Sequence, residues 1–227
     1  MTPNIITINS INFEEYQGLA RILHHSLIRH PESELVQGFK ACDIADSWPT
    51  FAKRAQNSKG RALLAGFLAQ WSTDTHAAEL VELKLDYGQL FFGPGEPNAV
   101  PQGSVYLSEE QLLNDRSTMA LMDFYQAYGV KVDVDYPQPL DHIGLFFAVL
   151  DQTFGRLQSE ATNHALVRFT QVLLQQHLLP WAPRCLELAQ QHATSDFYRA
   201  IALLASDFLQ QLQQDFQLLP KAARLYR

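Results

Sequence analysis

Nine residues in the middle of the chain, Tyr136 to Gly144, impose the strongest local constraint on how it can fold. They read Tyr-Pro-Gln-Pro-Leu-Asp-His-Ile-Gly, and each proline fixes its own φ and keeps the preceding residue out of the helical region. An apolar run with helical character, 143–150, follows at once. The sequence therefore predicts that Asp141 and His142 lie where a stiff loop becomes a helix, beside free backbone N–H groups and a positive dipole end.

A second stretch, from Tyr87 to Tyr106, is predicted to face the first. It begins as a helix rich in aromatic residues, runs into a Gly/Pro loop and ends on another aromatic residue. Phe91 and Phe92 are adjacent, so one helix face cannot bury both, and at least one must point into an interface or groove. A rigid rim, exposed aromatic side chains and a carboxylate at a helix start together indicate a groove for a peptide with apolar and cationic parts.

Helical periodicity covers most of the remaining chain, and strand-like alternation is confined to a short piece at 130–134. The sequence predicts an all-α fold of about nine to eleven helices in a single compact domain over residues 1–227. Two irregular stretches, 93–105 and 130–139, interrupt the helices, and the second is interpreted as an extended, hinge-like linker.

Several helix boundaries follow from capping residues, glycines and prolines. Asn12 is predicted to cap a first helix over 11–29, and Gly129 to end the helix that starts at Ser117. Further starts are predicted at Ser47, Thr75 and Ser108, a break at Lys59-Gly60, and later helices over about 141–156, 160–176, 180–192 and 196–215.

Charge and cysteine content restrict the class of partner. The net charge is −7, from 17 Lys plus Arg against 24 Asp plus Glu, so the chain repels nucleic acids and anionic membranes but tolerates basic partners. Cys42 and Cys185 lie far apart and have no zinc-ligand spacing, as expected of thiols in a reducing compartment. The first residues lack the pattern of an export signal, and no apolar run approaches the roughly 18 residues of a membrane span. We expect a cytoplasmic protein that is not integral to a membrane.

Motifs for common enzymatic chemistry are missing from the sequence. There is no P-loop, dinucleotide fingerprint, HExxH or GxSxG. His24, His25 and His30 cluster without a spaced carboxylate, so we expect surface or capping histidines and no metal site. Asp141 and His142 could form a hydrolytic dyad, but adjacent residues at a helix start point in different directions. An enzyme is therefore not expected, although a hydrolase and a general helical adaptor for folded partners both stay open.

The two stretches resemble motifs of the TorD/DmsD family, cytoplasmic chaperones that mature exported molybdoenzymes of the dimethyl-sulfoxide reductase class, and the DmsD branch in particular. The second family motif matches Gln138 to Gly144, and further matches are His177 to Trp181 and Phe197 to Ala200. The first motif matches Tyr87, Leu90-Phe91, Gly93-Pro94, Pro101 and Gly103-Ser104-Val105-Tyr106.

The resemblance implies an all-helical chaperone that binds the twin-arginine leader and the apo-form of a molybdoenzyme catalytic subunit, and delays export until the molybdopterin cofactor is loaded. It implies no cofactor or catalytic residue of its own. Further implied partners are the twin-arginine translocase and the molybdenum-cofactor biosynthesis proteins. We expect a monomer with a minor domain-swapped dimer, because an extended hinge permits swapping. The positions that the resemblance assigns to signal-peptide binding are Tyr87, Leu90, Phe91, Pro101, Tyr106, Pro139, Asp141 and His142.

On this interpretation the apolar part of the leader packs on Leu90, Phe91 and Pro101, while its arginines approach Asp141 and acids such as Glu96 and Glu109. This chain departs from the family at Gln138, where a Glu is usual, and at Gly95 and Gln102, where the DmsD branch tends to carry Trp. A less aromatic groove and a different client are the expected consequences. Some family members are reported to bind guanine nucleotide weakly, but this sequence carries no phosphate-binding motif.

Overall fold

A computed structural model describes residues 11–52, 54–71, 76–132, 138–160 and 162–227, with the side chains of residues 76 and 77 excepted. The predicted cap at Thr75 lies outside these residues, as does the centre of the predicted hinge, 133–137.

The described residues form helices and connecting loops, which confirms the all-α prediction. No strand occurs among them, and the one extended pairing is an isolated bridge between Gln102 and His142. Short π-helical turns, Gly88–Phe92 and Leu173–Leu178, directly continue two of the helices. The α-helices are α1 (Phe13–Leu27), α2 (Ser33–Ala41), α3 (Ile44–Ser47), α4 (Ala55–Gln70), α5 (His76–Tyr87), α6 (Gly103–Leu107), α7 (Arg116–Ala127), α8 (Ile143–Ser159), α9 (His164–Val172), α10 (Ala182–His192) and α11 (Asp196–Asp215). None of these helices is long and apolar enough to cross a bilayer.

The chain divides into two compact units, each assembled from separate segments. Unit 1 contains residues 11–24, 101–182 and 211–227, and unit 2 contains residues 25–100 and 183–210. That residues 1–227 form a single domain stays a prediction.

The core of unit 1 is built around α8, ten of whose 17 residues are buried. Its residues Phe146, Phe147, Leu150 and Leu157 are fully buried. Phe154 extends the core, because its ring lies 6.0 Å from that of Phe13, 5.8 Å from that of Tyr16 and 6.4 Å from that of Phe216. A helix buried in this way fixes the position of the residues just before it, Asp141 and His142.

Unit 2 shows why the predicted break at Lys59-Gly60 is wrong. Helix α4 runs through both residues without interruption. A Cβ atom at Gly60 would lie 2.8 Å from Cγ of Leu204, so this glycine permits close packing of two helices rather than a turn. The same helix region is tied to α11 by the buried Asp207, whose carboxylate accepts hydrogen bonds from Arg54 at 2.6 Å and Asn57 at 2.7 Å.

Two other predicted helix starts are also wrong, at Ser47 and Ser108. Ser47 ends α3, because Trp48 precedes Pro49 and takes an extended conformation with ψ of 125°. Ser108 follows α6, which begins earlier than predicted because a distant side chain caps it, as described below. The irregular stretch predicted for 93–105 therefore ends at Gln102.

Two boundaries that depend on nearby residues are confirmed. Asn12 Oδ1 accepts the Glu15 N–H at 3.3 Å at the start of α1. Gly129, with φ of 66°, follows α7, where the N–H of Val130 donates to the carbonyl of Tyr125 and the N–H of Gly129 to that of Gln126. This is the Schellman arrangement that glycine favours beyond a helix end.

Candidate functional site

The two Pro-containing stretches meet in unit 1, as predicted. The N–H of Gly103 donates to the carbonyl of Asp141 at 3.1 Å, and the N–H of Ile143 donates to the carbonyl of Pro101 at 2.7 Å. The isolated bridge between Gln102 and His142 lies between these bonds. Two segments about forty residues apart in sequence are thus joined through their backbones at the start of α8.

Asp141 is 3% exposed and serves a different helix from the one that it precedes. Its Oδ2 atom accepts the N–H of Ser104 at 2.6 Å, which caps α6 from outside that helix. Its Oδ1 atom is buried and has no hydrogen-bond partner among the described residues. Because a buried carboxylate oxygen without a donor is costly, this atom favours any ligand that brings one.

His142 is the residue that caps α8. Its Nδ1 atom accepts the N–H of Gly144 at 3.1 Å, two residues along the chain. Burial lowers the pKa of His142 to about 3, with a smaller contribution from His24. The ring is therefore neutral at physiological pH.

Asp141 lines a cavity of about 310 Å³ within unit 1. The family-like segments converge on it, since Gly103, Phe146, His177 and Trp181 also contribute to its walls. Ser117 adds a hydroxyl whose oxygen is buried and likewise lacks a partner among the described residues. We call this space the Asp141 cavity; Lys221 and Ala223 also line it.

Trp181 fixes the aromatic wall of the Asp141 cavity. Its indole N–H donates to the carbonyl of His177 at 2.7 Å, and its ring stacks on that of Tyr106 with centroids 5.6 Å apart. A Cβ atom at Gly103 would lie 2.5 Å from the indole nitrogen, so this position accepts glycine only. Burial, with a contribution from Lys221, lowers the pKa of His177 to about 4, so that its ring is neutral too.

The chemistry of the Asp141 cavity suits a ligand that donates hydrogen bonds and carries positive charge. Asp141 supplies the acceptor, and charge-assisted bonds to a carboxylate are the strong ones, above all from a planar guanidinium. Ser117 supplies a second polar contact, while Trp181 and Phe146 form apolar walls.

The three remaining predicted site residues of the first stretch lie in unit 2 and are buried. Leu90 is fully buried, and Tyr87 donates its hydroxyl to the carbonyl of Leu27 at 3.2 Å. Phe91 is 5% exposed, with its ring 5.8 Å from that of Tyr198. Phe92 is 71% exposed, so the inference that adjacent phenylalanines cannot both be buried is confirmed, and Phe92 is the exposed one.

Exposed large apolar side chains occur on α5 and on the π-helical turn that follows it. Val81 and Leu85, four residues apart on α5, are 56% and 60% exposed, and the π-helical turn Gly88–Phe92 follows that helix. We call Val81, Leu85 and Phe92 the apolar stripe. Leu90 and Phe91 of the same π-helical turn are buried.

The structure thus brings together the predicted residues Pro101, Tyr106, Asp141 and His142, and the half-buried Pro139 joins them because its carbonyl accepts the N–H of His142 at 3.3 Å. Sequence reasoning did not assign Ser117 or Lys221 to the site, and no signal in the sequence marks them. His177 and Trp181 belong to a sequence motif that resembles the family, but the sequence did not assign them to the site. The structure places both in the lining of the Asp141 cavity.

Comparison with known proteins identifies the family of the chain. Residues 54–187 match the family described as "Nitrate reductase delta subunit". The chain is 37% identical over 141 residues to the probable Tat proofreading chaperone DmsD of Haemophilus influenzae, a match spanning 62% of this chain and 65% of that protein. It is 30% identical over 195 residues to the Tat proofreading chaperone DmsD of Salmonella typhi, spanning 86% of this chain and 85% of that protein.

The chaperone protein TorD of Aliivibrio salmonicida is 28% identical over 133 residues, which span 57% of this chain and 62% of that protein. The matches to the Haemophilus and Aliivibrio proteins therefore cover just under two thirds of those relatives, whereas the Salmonella match covers most of both chains. The chain belongs to the nitrate reductase delta subunit family, in the branch of the TorD and DmsD chaperones that its motifs resemble.

Proposed function

We propose that this protein is a cytoplasmic chaperone, not an enzyme, that binds the twin-arginine leader of a molybdopterin-containing reductase precursor. The relatives named as Tat proofreading chaperones support the class of function. The observation that carries the proposal is the buried Asp141 carboxylate, which lines a cavity and keeps one oxygen without a partner among the described residues. An arginine side chain of the leader supplies the missing donor.

The two units supply different contacts in this proposal. In unit 1, Asp141 binds a leader guanidinium, with Pro101, Tyr106, Pro139 and His142 holding the surrounding backbone. In unit 2, the apolar part of the leader packs on the apolar stripe, and the buried Tyr87, Leu90 and Phe91 keep that helix in shape.

The partners follow from this role. They are the apo-form of a reductase of the dimethyl-sulfoxide or trimethylamine-oxide type and, at later steps, the translocase and the molybdenum-cofactor biosynthesis proteins. Binding the leader delays export while the precursor folds and receives its cofactor. A monomer with a minor domain-swapped dimer fits this role.

A hydrolase fits the geometry poorly. In a catalytic dyad the carboxylate orients the imidazole through a hydrogen bond. Here Asp141 Oδ2 accepts from Ser104, and His142 Nδ1 accepts from Gly144. Each side chain thus accepts a hydrogen bond from a backbone N–H group, and these bonds do not link the carboxylate to the imidazole.

The replacement of Asp141 by Asn tests the proposal. Asn retains an acceptor for Ser104, so the melting temperature should change little. The charge-assisted bond to the leader is lost, and such bonds contribute about 1.5–3 kcal/mol, so affinity for a fluorescent twin-arginine leader should fall roughly ten- to a hundredfold.

The matched control is Asp123→Asn, which removes the same charge from an exposed position of unit 1. We expect it to bind like wild type. Equal affinities for both variants, with equal stability, would reduce Asp141 to a structural cap. Capture of folded reductase without its leader would instead favour the general adaptor.

A further inference from the structure

Residues 219–227 form a segment without helix or strand that lies on unit 1. The N–H of Lys221 donates to the carbonyl of Gln175 at 2.9 Å, and the N–H of Tyr226 donates to the carbonyl of Tyr106 at 3.0 Å. The side-chain amide of Gln111 donates to the carbonyl of Tyr226 at 2.8 Å. Residues 221–225 are all exposed, so little apolar burial holds the segment in place.

This segment lies directly at the Asp141 cavity. Lys221 and Ala223 form part of the cavity lining. Tyr106, whose carbonyl accepts from Tyr226, stacks its ring on Trp181, which forms the aromatic wall. The segment therefore forms part of the wall of the Asp141 cavity.

The composition of the segment matches the ligand expected there. It reads Leu-Pro-Lys-Ala-Ala-Arg-Leu-Tyr-Arg and carries three cations and two leucines. Leu219 is 80% exposed, and the guanidinium of Arg224 lies 5.0 Å from the centre of the Tyr226 ring. Exposed acids, Glu109 and Glu110, immediately precede Gln111, which contacts the segment. A basic and partly apolar peptide thus already lies against unit 1, beside the cavity that the buried Asp141 lines.

We propose that residues 219–227 occupy the binding path of the arginine-bearing part of the leader, and that the leader binds by displacing them. This inference rests on the proposed function. The carbonyls of Tyr106 and Gln175 and the side chain of Gln111 become contacts for the leader backbone. The chain's own segment acts as an intramolecular competitor, so its release is a condition of tight binding.

The competition has a measurable size. When only a fraction of molecules has a free binding path, the apparent dissociation constant is raised by the reciprocal of that fraction. If the segment is bound in most molecules, weakening it should tighten leader binding by roughly three- to tenfold.

The first test uses the full chain without substitutions. Hydrogen exchange of the Lys221 and Tyr226 amides is measured by NMR with and without a saturating synthetic twin-arginine leader. Displacement predicts faster exchange at both amides when the leader is bound. Leader binding with unchanged or increased protection at both amides would overturn the inference and leave the proposed function intact.

The second test removes the segment's charge while keeping its length. The variant combines Lys221→Gln, Arg224→Gln and Arg227→Gln, and the control combines Arg116→Gln, Lys131→Gln and Arg168→Gln, three exposed cations of the same unit. Both change the net charge equally, so a difference between them reports on where the charges lie, and the exchange measurement separates displacement from the loss of a cation beside Asp141. We expect the first variant to bind the leader several-fold more tightly than the control, and equal affinities would contradict displacement. Failure of wild type and both variants to bind any leader would overturn the proposed function together with this inference.

Discussion

His142 holds its place in the fold as a neutral imidazole. Its Nδ1 atom must stay unprotonated to accept the N–H of Gly144, and burial lowers the pKa of the ring to about 3. In the unfolded chain a histidine has a pKa of about 6.5. Between these two values the unfolded chain binds a proton that the folded chain excludes, so the free energy of unfolding falls as the pH falls from about 6.5 towards 3.

Replacing His142 by Asn should flatten this pH dependence. Asn retains a capping acceptor but does not titrate, so the loss of melting temperature between pH 7 and pH 4 should be smaller than in wild type. The exposed His164 supplies the control, and His164→Asn should keep the wild-type slope. Thermal unfolding at several pH values measures the slopes. Identical slopes for wild type and His142→Asn would contradict the burial of a neutral ring.

At the residue scale, capping rules predicted two boundaries whose partners lie within one helical turn, whereas the local signals at Ser47 and Ser108 gave wrong helix starts. Asn12 and Glu15 are three residues apart, and Gly129 follows its helix directly, so capping rules predicted both. Asp141 was placed correctly at a loop-to-helix junction, but its bond to Ser104 spans 37 residues. No rule based on neighbouring residues predicts a bond over that distance. The sequence alone therefore could not show that Asp141 caps α6 through Oδ2 while its Oδ1 lacks a partner among the described residues.

At the scale of elements, the π-helical turn Gly88–Phe92 after α5 buries one of two adjacent phenylalanines and exposes the other. Phe91 packs near Tyr198 in the interior of unit 2, and Phe92 is exposed with its ring 5.5 Å from that of His30. Adjacency in the sequence required one of the two to be exposed. The packing of Tyr87, Leu90 and Phe91 against residues distant in sequence decides that Phe92 is the exposed one. The sequence does not reveal that packing.

This separation predicts opposite phenotypes for two neighbouring substitutions. Phe92→Ala should weaken leader binding by several-fold and leave the melting temperature nearly unchanged, because it removes an exposed contact. Phe91→Ala should lower stability by about 3–5 kcal/mol, as truncation of a buried phenylalanine does, and binding should fall only as the folded fraction falls. The same expectation of lost stability extends to Leu90→Ala.

Thermal melts and leader titrations on the same samples distinguish these outcomes. Leu113→Ala is a matched control, since Leu113 is a large apolar residue that is 52% exposed in unit 1. If Phe92→Ala binds the leader as Leu113→Ala does, the apolar stripe is not a leader contact. A loss of stability in Phe92→Ala equal to that in Phe91→Ala would contradict the exposure of Phe92.

Gly60 illustrates the limit of element prediction. A glycine after a lysine was interpreted as a break, because glycine lowers helix propensity by about 1 kcal/mol relative to alanine. Close approach of Leu204 overrides that preference, and the contact spans more than a hundred residues of sequence. Helix existence and type were therefore predictable from periodicity, whereas interruptions were not, since tertiary packing decides them.

At the scale of the whole molecule, the net charge of −7 acts on the encounter with a basic leader. Long-range attraction raises the association rate and is screened by salt, since the Debye length is about 10 Å at 0.1 M and about 3 Å at 1 M. Contacts in a buried cavity are screened much less. Association and dissociation should therefore respond differently to ionic strength and to the chemistry of the leader's cations.

Stopped-flow binding of twin-arginine and twin-lysine leaders at several salt concentrations tests this separation. Both leaders carry the same charge, so their association rates should be similar and should fall together, by roughly tenfold, as salt rises. Only arginine presents a planar fork to the Asp141 carboxylate, so the lysine leader should dissociate faster at every salt concentration. In Asp141→Asn the two leaders should dissociate at similar rates, while the salt dependence of association persists because six of the seven net negative charges remain. Association rates that do not change with salt concentration would exclude steering by net charge. If the two leaders still dissociate at different rates from Asp141→Asn, the arginine-selective contact lies elsewhere on the molecule.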